Sequence, residues 1–176
     1  MRHLLALAAL AATAAAPRVS RADLQTMERR LNQSLMSFSA DDPIDLLGPM
    51  RGVYLEKYGA VFSAEIGLVV VPAATPFRPK PGKEEIARLR QRKLGRLAQV
   101  RQLMRDMLVN TGASLKNVPL EEQVVLGVTF FAHPFEDNAG VPAQLLMQVQ
   151  RKTLVEYEAG RMNRAALQAA IQETVF

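Results

Sequence analysis

The stretch His133-Pro134-Phe135-Glu136-Asp137 places a histidine beside two carboxylates. That combination can relay a proton as an acid/base pair or contribute ligands to a metal. The surrounding residues offer a plainer alternative. Pro134 and the run Asp137-Asn138-Ala139-Gly140 are turn formers, and together they read as a polar, solvated hairpin loop. Glu65 is a second candidate acid. It can pair with Lys57 or Lys152 across a sheet face, or sit buried as an acid with a raised pKa. No second carboxylate is placed by sequence to complete a glycosidase pair with it.

The residues that are missing narrow the chemistry further. The chain has no cysteine and two histidines, His3 and His133. Disulfides, thiolate nucleophiles and thiolate metal sites are excluded, and one chain cannot assemble a His/Cys zinc site from residues 23–176. A serine triad would have to use His133, yet no serine sits in a G-x-S-x-G turn and no S-x-x-K pair occurs. The phosphate-binding patterns G-x-x-x-x-G-K-[ST] and G-x-G-x-x-G are absent, and no cofactor is expected. Asp41, Asp42 and Asp45 lack the glycine and glutamate of a calcium loop and read as turn residues.

The elements that must position these groups follow from periodicity. Residues 1–22 have a basic start, an apolar run from Leu4 to Ala12 and a small-residue region, the layout of a secretory signal peptide. Ser20-Arg21-Ala22 places cleavage before Asp23. Removing Arg2, Arg18 and Arg21 from 22 Lys+Arg against 17 Asp+Glu leaves a formal charge of +2, so the basic pI of 9.9 is no argument for nucleic-acid binding. Residues 23–176 suit a single domain in an exported protein, periplasmic or extracellular, of a bacterium. They contain no apolar run long enough to cross a bilayer.

Leu24, Met27, Leu31 and Leu35 recur at helical spacing across residues 23–38, with Asp23 as N-cap. Residues 51–72 alternate with period two and read as a β-hairpin, with Gly59 in its turn. Val53 and Leu55 face one way. Tyr54 and Tyr58 face the other and join Glu65 and Gln148 as candidate binding residues on one sheet face. Phe62, Ala64, Ile66, Leu68 and Val70 form the core row of the return strand. Prolines 72, 76, 79 and 81 make a stiff connector.

A long helix is expected over residues 83–109. Lys93 falls within its apolar stripe, where it can snorkel past a core edge or mark the seam of a homodimer formed through this helix. Its other basic residues spread around the helix instead of forming a patch, and few aromatics accompany them, so nucleic acid is not an expected partner. Residues 123–131 and 143–150 make a second pair of strands. The tail from Thr153 is helical in two pieces broken at Gly160, the second capped by Asn163. The fold expected is α+β, a four-stranded antiparallel sheet from two hairpins separated by a long helix, with N- and C-terminal helices.

Val53-Tyr54-Leu55 followed by Tyr58-Gly59-Ala60-Val61-Phe62, the N-terminal signal layout and the tail from Leu154 to Ile171 resemble a group of uncharacterised secreted bacterial proteins. The resemblance implies export and one domain. Its motifs are structural, so it implies no site residue. Three functions are compatible with the residues: a non-catalytic extracytoplasmic module that binds an envelope or extracellular protein through Tyr54, Tyr58, Glu65 and Gln148; an exported hydrolase using His133, Glu136 and Asp137; and a carrier of a small apolar ligand between the sheet and the Met-rich helix.

Overall fold

Alternation over residues 51–67 builds the first two long strands. The computed structural model describes residues 19–39, 41–71 and 81–176. In it, β2 (Arg51–Leu55) and β3 (Gly59–Gly67) pair antiparallel from Arg51↔Ser63 to Leu55↔Gly59. The turn places Lys57 in the left-handed region (φ 65°) and Gly59 at φ 137°. Gly59 is needed for a second reason. A Cβ there would lie 1.9 Å from the Gln123 carbonyl oxygen of the neighbouring strand. β1 (Asp45–Leu46) pairs with the far end of β3, on the same edge as β2.

The strand after the long helix corrects the all-antiparallel expectation. α2 (Lys83–Thr111) carries the chain back, so β4 (Gln123–Phe130) runs parallel to β3, from Gly59↔Gln123 to Ile66↔Phe130. A helical crossover allows this, and a short turn could not. β5 (Gln144–Gln150) returns antiparallel to β4, and β6 (Gln172–Val175) adds antiparallel to β5. The sheet is therefore mixed and six-stranded, in the order β1-β3-β4-β5-β6 with β2 also on β3.

The four α-helices among the described residues feed one core. α1 (Arg21–Met36) contributes Leu24, Met27, Leu31 and Leu35, and α2 contributes Leu97, Val100, Met104, Met107 and Leu108. Leu154 of α3 (Arg151–Glu158) and Leu167 of α4 (Arg164–Ala170) join the same cluster. From the sheet come Ala60, Phe62, Ala64 and Ile66; Val124, Leu126 and Val128; and Leu145, Met147 and Val149. Gly52 belongs to this face, because the Phe62 ring lies 2.4 Å from where its Cβ would stand. The expected row stops short of Val70, which is half-exposed. β3 ends at Gly67, and Leu68 and Val69 are both buried beyond it.

The N-terminal helix begins two residues earlier than expected. Ser20 is the N-cap, and Asp23 sits at the third helical position, closing a capping box with it. Val19 is buried, and Arg21 donates to the Gly52 carbonyl at 3.0 Å. Residues 1–18 of the expected signal segment and 72–80 of the expected connector lie outside the described residues. Gly160 (φ 71°) separates α3 from α4, and Asn163 caps α4 by accepting from the Ala166 N–H at 2.8 Å. Among the described residues no helix is long and apolar enough to cross a membrane.

Candidate functional site

The loop after β4 is held by α2 through charge. Lys93 and Glu136 form an ion pair with side chains only 3% and 2% exposed. Lys93 Nζ also donates to Asn138 Oδ1 at 3.2 Å. One turn earlier on the helix, Arg90 Nε donates to the Ala139 carbonyl at 2.9 Å, and its guanidinium lies 3.7 Å from Asp137. Neither sequence reading of Lys93 describes this geometry. Its ammonium is neither extended into solvent nor left for a helix partner, because an acid of the same chain neutralises it. A cation set inside an apolar helical stripe was the available signal. Its partner was hidden because Glu136 stands in a turn-rich loop 43 residues away.

The same clamp disperses the candidate catalytic cluster. Glu136 turns inward to Lys93. Asp137 faces Arg90 and accepts from the Ala139 N–H at 2.9 Å. His133 lies between two aromatic rings, edge-on to Phe131 at 5.0 Å and stacked on Phe135 at 5.1 Å. The three residues share a loop, yet each side chain has a different partner. Among the described residues no group of three or more His, Cys, Asp or Glu is arranged to hold a metal. A cavity of about 190 Å³ opens beside the clamp, outside the carboxyl end of β4, with Lys93 and Asn138 in its wall.

The candidate binding residues divide between the two sheet faces. Tyr54 pairs with Ala60 and so points to the helix side, where it packs on the core and donates to Glu122 Oε1 at 3.2 Å. Glu122 also accepts from the Lys57 N–H at 3.2 Å, so the carboxylate braces the strained β2–β3 turn. This correction has a simple cause. Residues 54 and 58 lie on opposite sides of a turn that breaks the period-two alternation, so their shared parity does not place them on a shared face.

Tyr58, Glu65 and Gln148 remain on the open side. Tyr58 donates to Gln148 Oε1 at 3.2 Å, and Gln148 Nε2 donates to Gln172 Oε1 at 2.8 Å. Glu65 is exposed, in an open groove of about 420 Å³ that also contains Arg51, Ser63 and Thr129. Between the polar margins runs an apolar row set by the register Val53↔Val61↔Val125, with Leu55 and Leu146 beside it. Val53 is 50% exposed and Leu55 46%, and among the described residues no helix covers them. Val125 is 1% exposed but lies outside the core cluster, so its neighbours on this face bury it.

The basic residues of α2 are mostly tertiary clamps. Arg92 and Arg96 meet Asp42, and Arg101 and Arg105 meet Glu173 on β6. Arg96 also lies 5.1 Å over the Phe38 ring. Their spread around the helix is explained by these bridges, which tie it to the N-terminal loop and the last strand. On the other side of the core, Glu28 accepts from the Gly52 N–H at 2.8 Å and from Arg21 at 2.9 Å. Burial opposes its ionisation. The Gly52 hydrogen bond and Arg21 outweigh that, with a smaller contribution from Arg51, and hold the carboxyl below its usual value of 4.5. Against known proteins, no family model, no curated sequence and no solved structure matches this chain.

Proposed function

We propose that this is an exported, non-catalytic interaction module that binds a protein partner on the open face of its sheet. The observation that carries the reading is the apolar row Val53, Leu55, Val61 and Leu146, with the two β2 residues half-exposed and, among the described residues, no helix over them. Its margins are Arg51 on one side, Glu65 on another, and the hydrogen-bonded Tyr58, Gln148 and Gln172. An apolar centre with a mixed polar rim is the composition of a protein-recognition surface. Both charge signs are present, which favours a protein over a polyanion. The basic side chains of α2 support the same choice, because Arg90, Arg92, Lys93, Arg96, Arg101 and Arg105 all have acidic partners within the chain.

Export rests on the layout of residues 1–22. A cut before Asp23 would remove Val19, the Ser20 cap and the Arg21 bridge to Glu28. A mature N-terminus upstream of Val19 keeps all three, and N-terminal sequencing of secreted protein distinguishes the two. The interaction surface is tested with a photo-crosslinking residue placed at Val61 or Ser63, and at Gln99 on the exposed side of α2, in the producing cell. Discrete adducts from the sheet positions alone are expected. Equal labelling from Gln99, or none from either sheet position, would overturn the assignment.

A further inference from the structure

We infer that the cavity at the carboxyl end of β4 is a binding site for a small neutral carbonyl compound with an apolar body, such as an aryl or alkyl amide. It is separate from the open sheet face and does not depend on that face having a partner. The cavity holds about 190 Å³. An apolar protein cavity of about 150 Å³ accommodates benzene, so this one has room for a ring and one polar substituent. Its wall is apolar along Leu68, Phe131, Val141 and Pro142, with two polar side chains, Lys93 and Asn138.

Those two side chains supply hydrogen-bond donors that nothing in the described chain takes up. An ammonium has three N–H groups. Glu136 and Asn138 Oδ1 accept two of Lys93's, and no third acceptor is present among the described residues. The contact with Lys93 also fixes the Asn138 amide with its oxygen toward the ammonium, which leaves the Nδ2 donors turned away and without a partner among the described residues. A ligand carbonyl can accept from both. A carboxylate fits less well, because Glu136 already neutralises Lys93, and a second anion would be buried beside the first without its own counter-charge.

The site also lies where parallel strands with a helical crossover place ligands, outside their carboxyl ends. Lys93 lines it, and the ion pair with Glu136 behind the wall keeps the ammonium in position without a ligand, so little ordering is required on binding.

The test titrates benzamide, benzoate and toluene into the full-length protein while methyl resonances of Leu68 and Val141 are followed by NMR. Benzamide should shift both methyls saturably and bind more tightly than either other probe. Asn138→Leu should weaken it about tenfold or more, the equivalent of one lost hydrogen bond. Val141→Phe, which fills the cavity from an apolar wall, should abolish the shift of the remaining reporter, Leu68, while leaving the circular dichroism spectrum unchanged. It keeps the test decisive if Asn138→Leu misfolds. Benzoate binding tighter than benzamide would overturn the ligand class. Toluene matching benzamide would overturn the role of the donors, and no saturable shift with any probe would overturn the site.

Discussion

Breaking the Lys93–Glu136 pair from one side should be far more harmful than removing it altogether. Both side chains are almost fully withdrawn from water, at 3% and 2% exposure. At contact distances near about 3 Å and an effective dielectric of about 20, the attraction is roughly 5 kcal/mol. The desolvation penalty is several kcal/mol for each ion. The pair as a whole therefore contributes little net stability, but either partner alone is a stranded buried charge. Lys93→Met and Glu136→Leu should each destabilise the domain by about 3–5 kcal/mol. The double substitution should recover most of that loss and lie within about 1–2 kcal/mol of wild type, because two apolar side chains then share the space. Urea unfolding followed by far-UV circular dichroism measures all four proteins, provided the m-values agree. A coupling energy below about 0.5 kcal/mol, with both single variants close to wild type, would show that the pair is solvated and the clamp unimportant.

Four other outcomes follow from particular residues. Because Glu28 titrates below 4.5 in the folded state, its contribution to stability is complete above that value and is lost as pH falls toward the native pKa; Glu28→Gln should flatten the acid limb of a stability–pH profile, and an unchanged limb would contradict the lowered pKa. Gly59→Ala combines φ 137° with a Cβ 1.9 Å from Gln123 O, so thermal or urea unfolding should show a loss of about 3 kcal/mol or more, and a variant within error of wild type would refute the close strand approach. Gly95, mid-helix in α2 with open space around its Cβ position, should give about 0.5–1 kcal/mol of added stability on replacement by alanine in the same assay; a loss would place an unseen neighbour there. Val53→Ser with Leu55→Ser should change stability by no more than about 0.5 kcal/mol each while reducing partner crosslinking from Val61, and a loss above about 2 kcal/mol would mean that the chain itself closes this face.

Much of this architecture was legible because burial imposes a period. Residues 24, 27, 31 and 35 mark α1, and both antiparallel pairs stand out from alternation and turn residues. The parallel contact between β3 and β4 was not marked in the same way. Each hairpin specifies its own internal pairing, whereas the joining of two hairpins depends on where a 29-residue helix returns the chain. One clue was available. Gln123–Phe130 is apolar on both faces from Val124 to Val128, as a strand flanked on both edges tends to be. β6 carried almost no signal, because backbone pairing, the Glu173 ion pairs and the Gln172 hydrogen bond anchor it without an apolar row. The candidate residues were harder to place for a related reason. The alternation that places Glu65 and Gln148 applies within a strand and fails across the turn to Tyr54, and no local pattern could join Lys93 to Glu136.

One-sided helix packing also explains why the two candidate surfaces differ in character. On the helix face the core is packed from both layers, and Met104 and Met147 are completely buried in it. A cavity opens where the sheet ends and the Lys93 clamp ties the loop after β4 to α2. On the opposite face no element among the described residues completes the burial. Val125 is dry because its neighbours crowd it, while Val53 and Leu55, on the edge strand, have neighbours on one side only. Burying the remaining exposed half of those two side chains would contribute roughly 1.5–3 kcal/mol in total, about ten- to a hundredfold in affinity. That would strengthen the proposed association, whose specificity would then come from Arg51, Glu65 and the Tyr58–Gln148–Gln172 chain, but is too little to hold a partner by apolar contact alone. A partner of this face must therefore satisfy its polar margins as well as cover its centre.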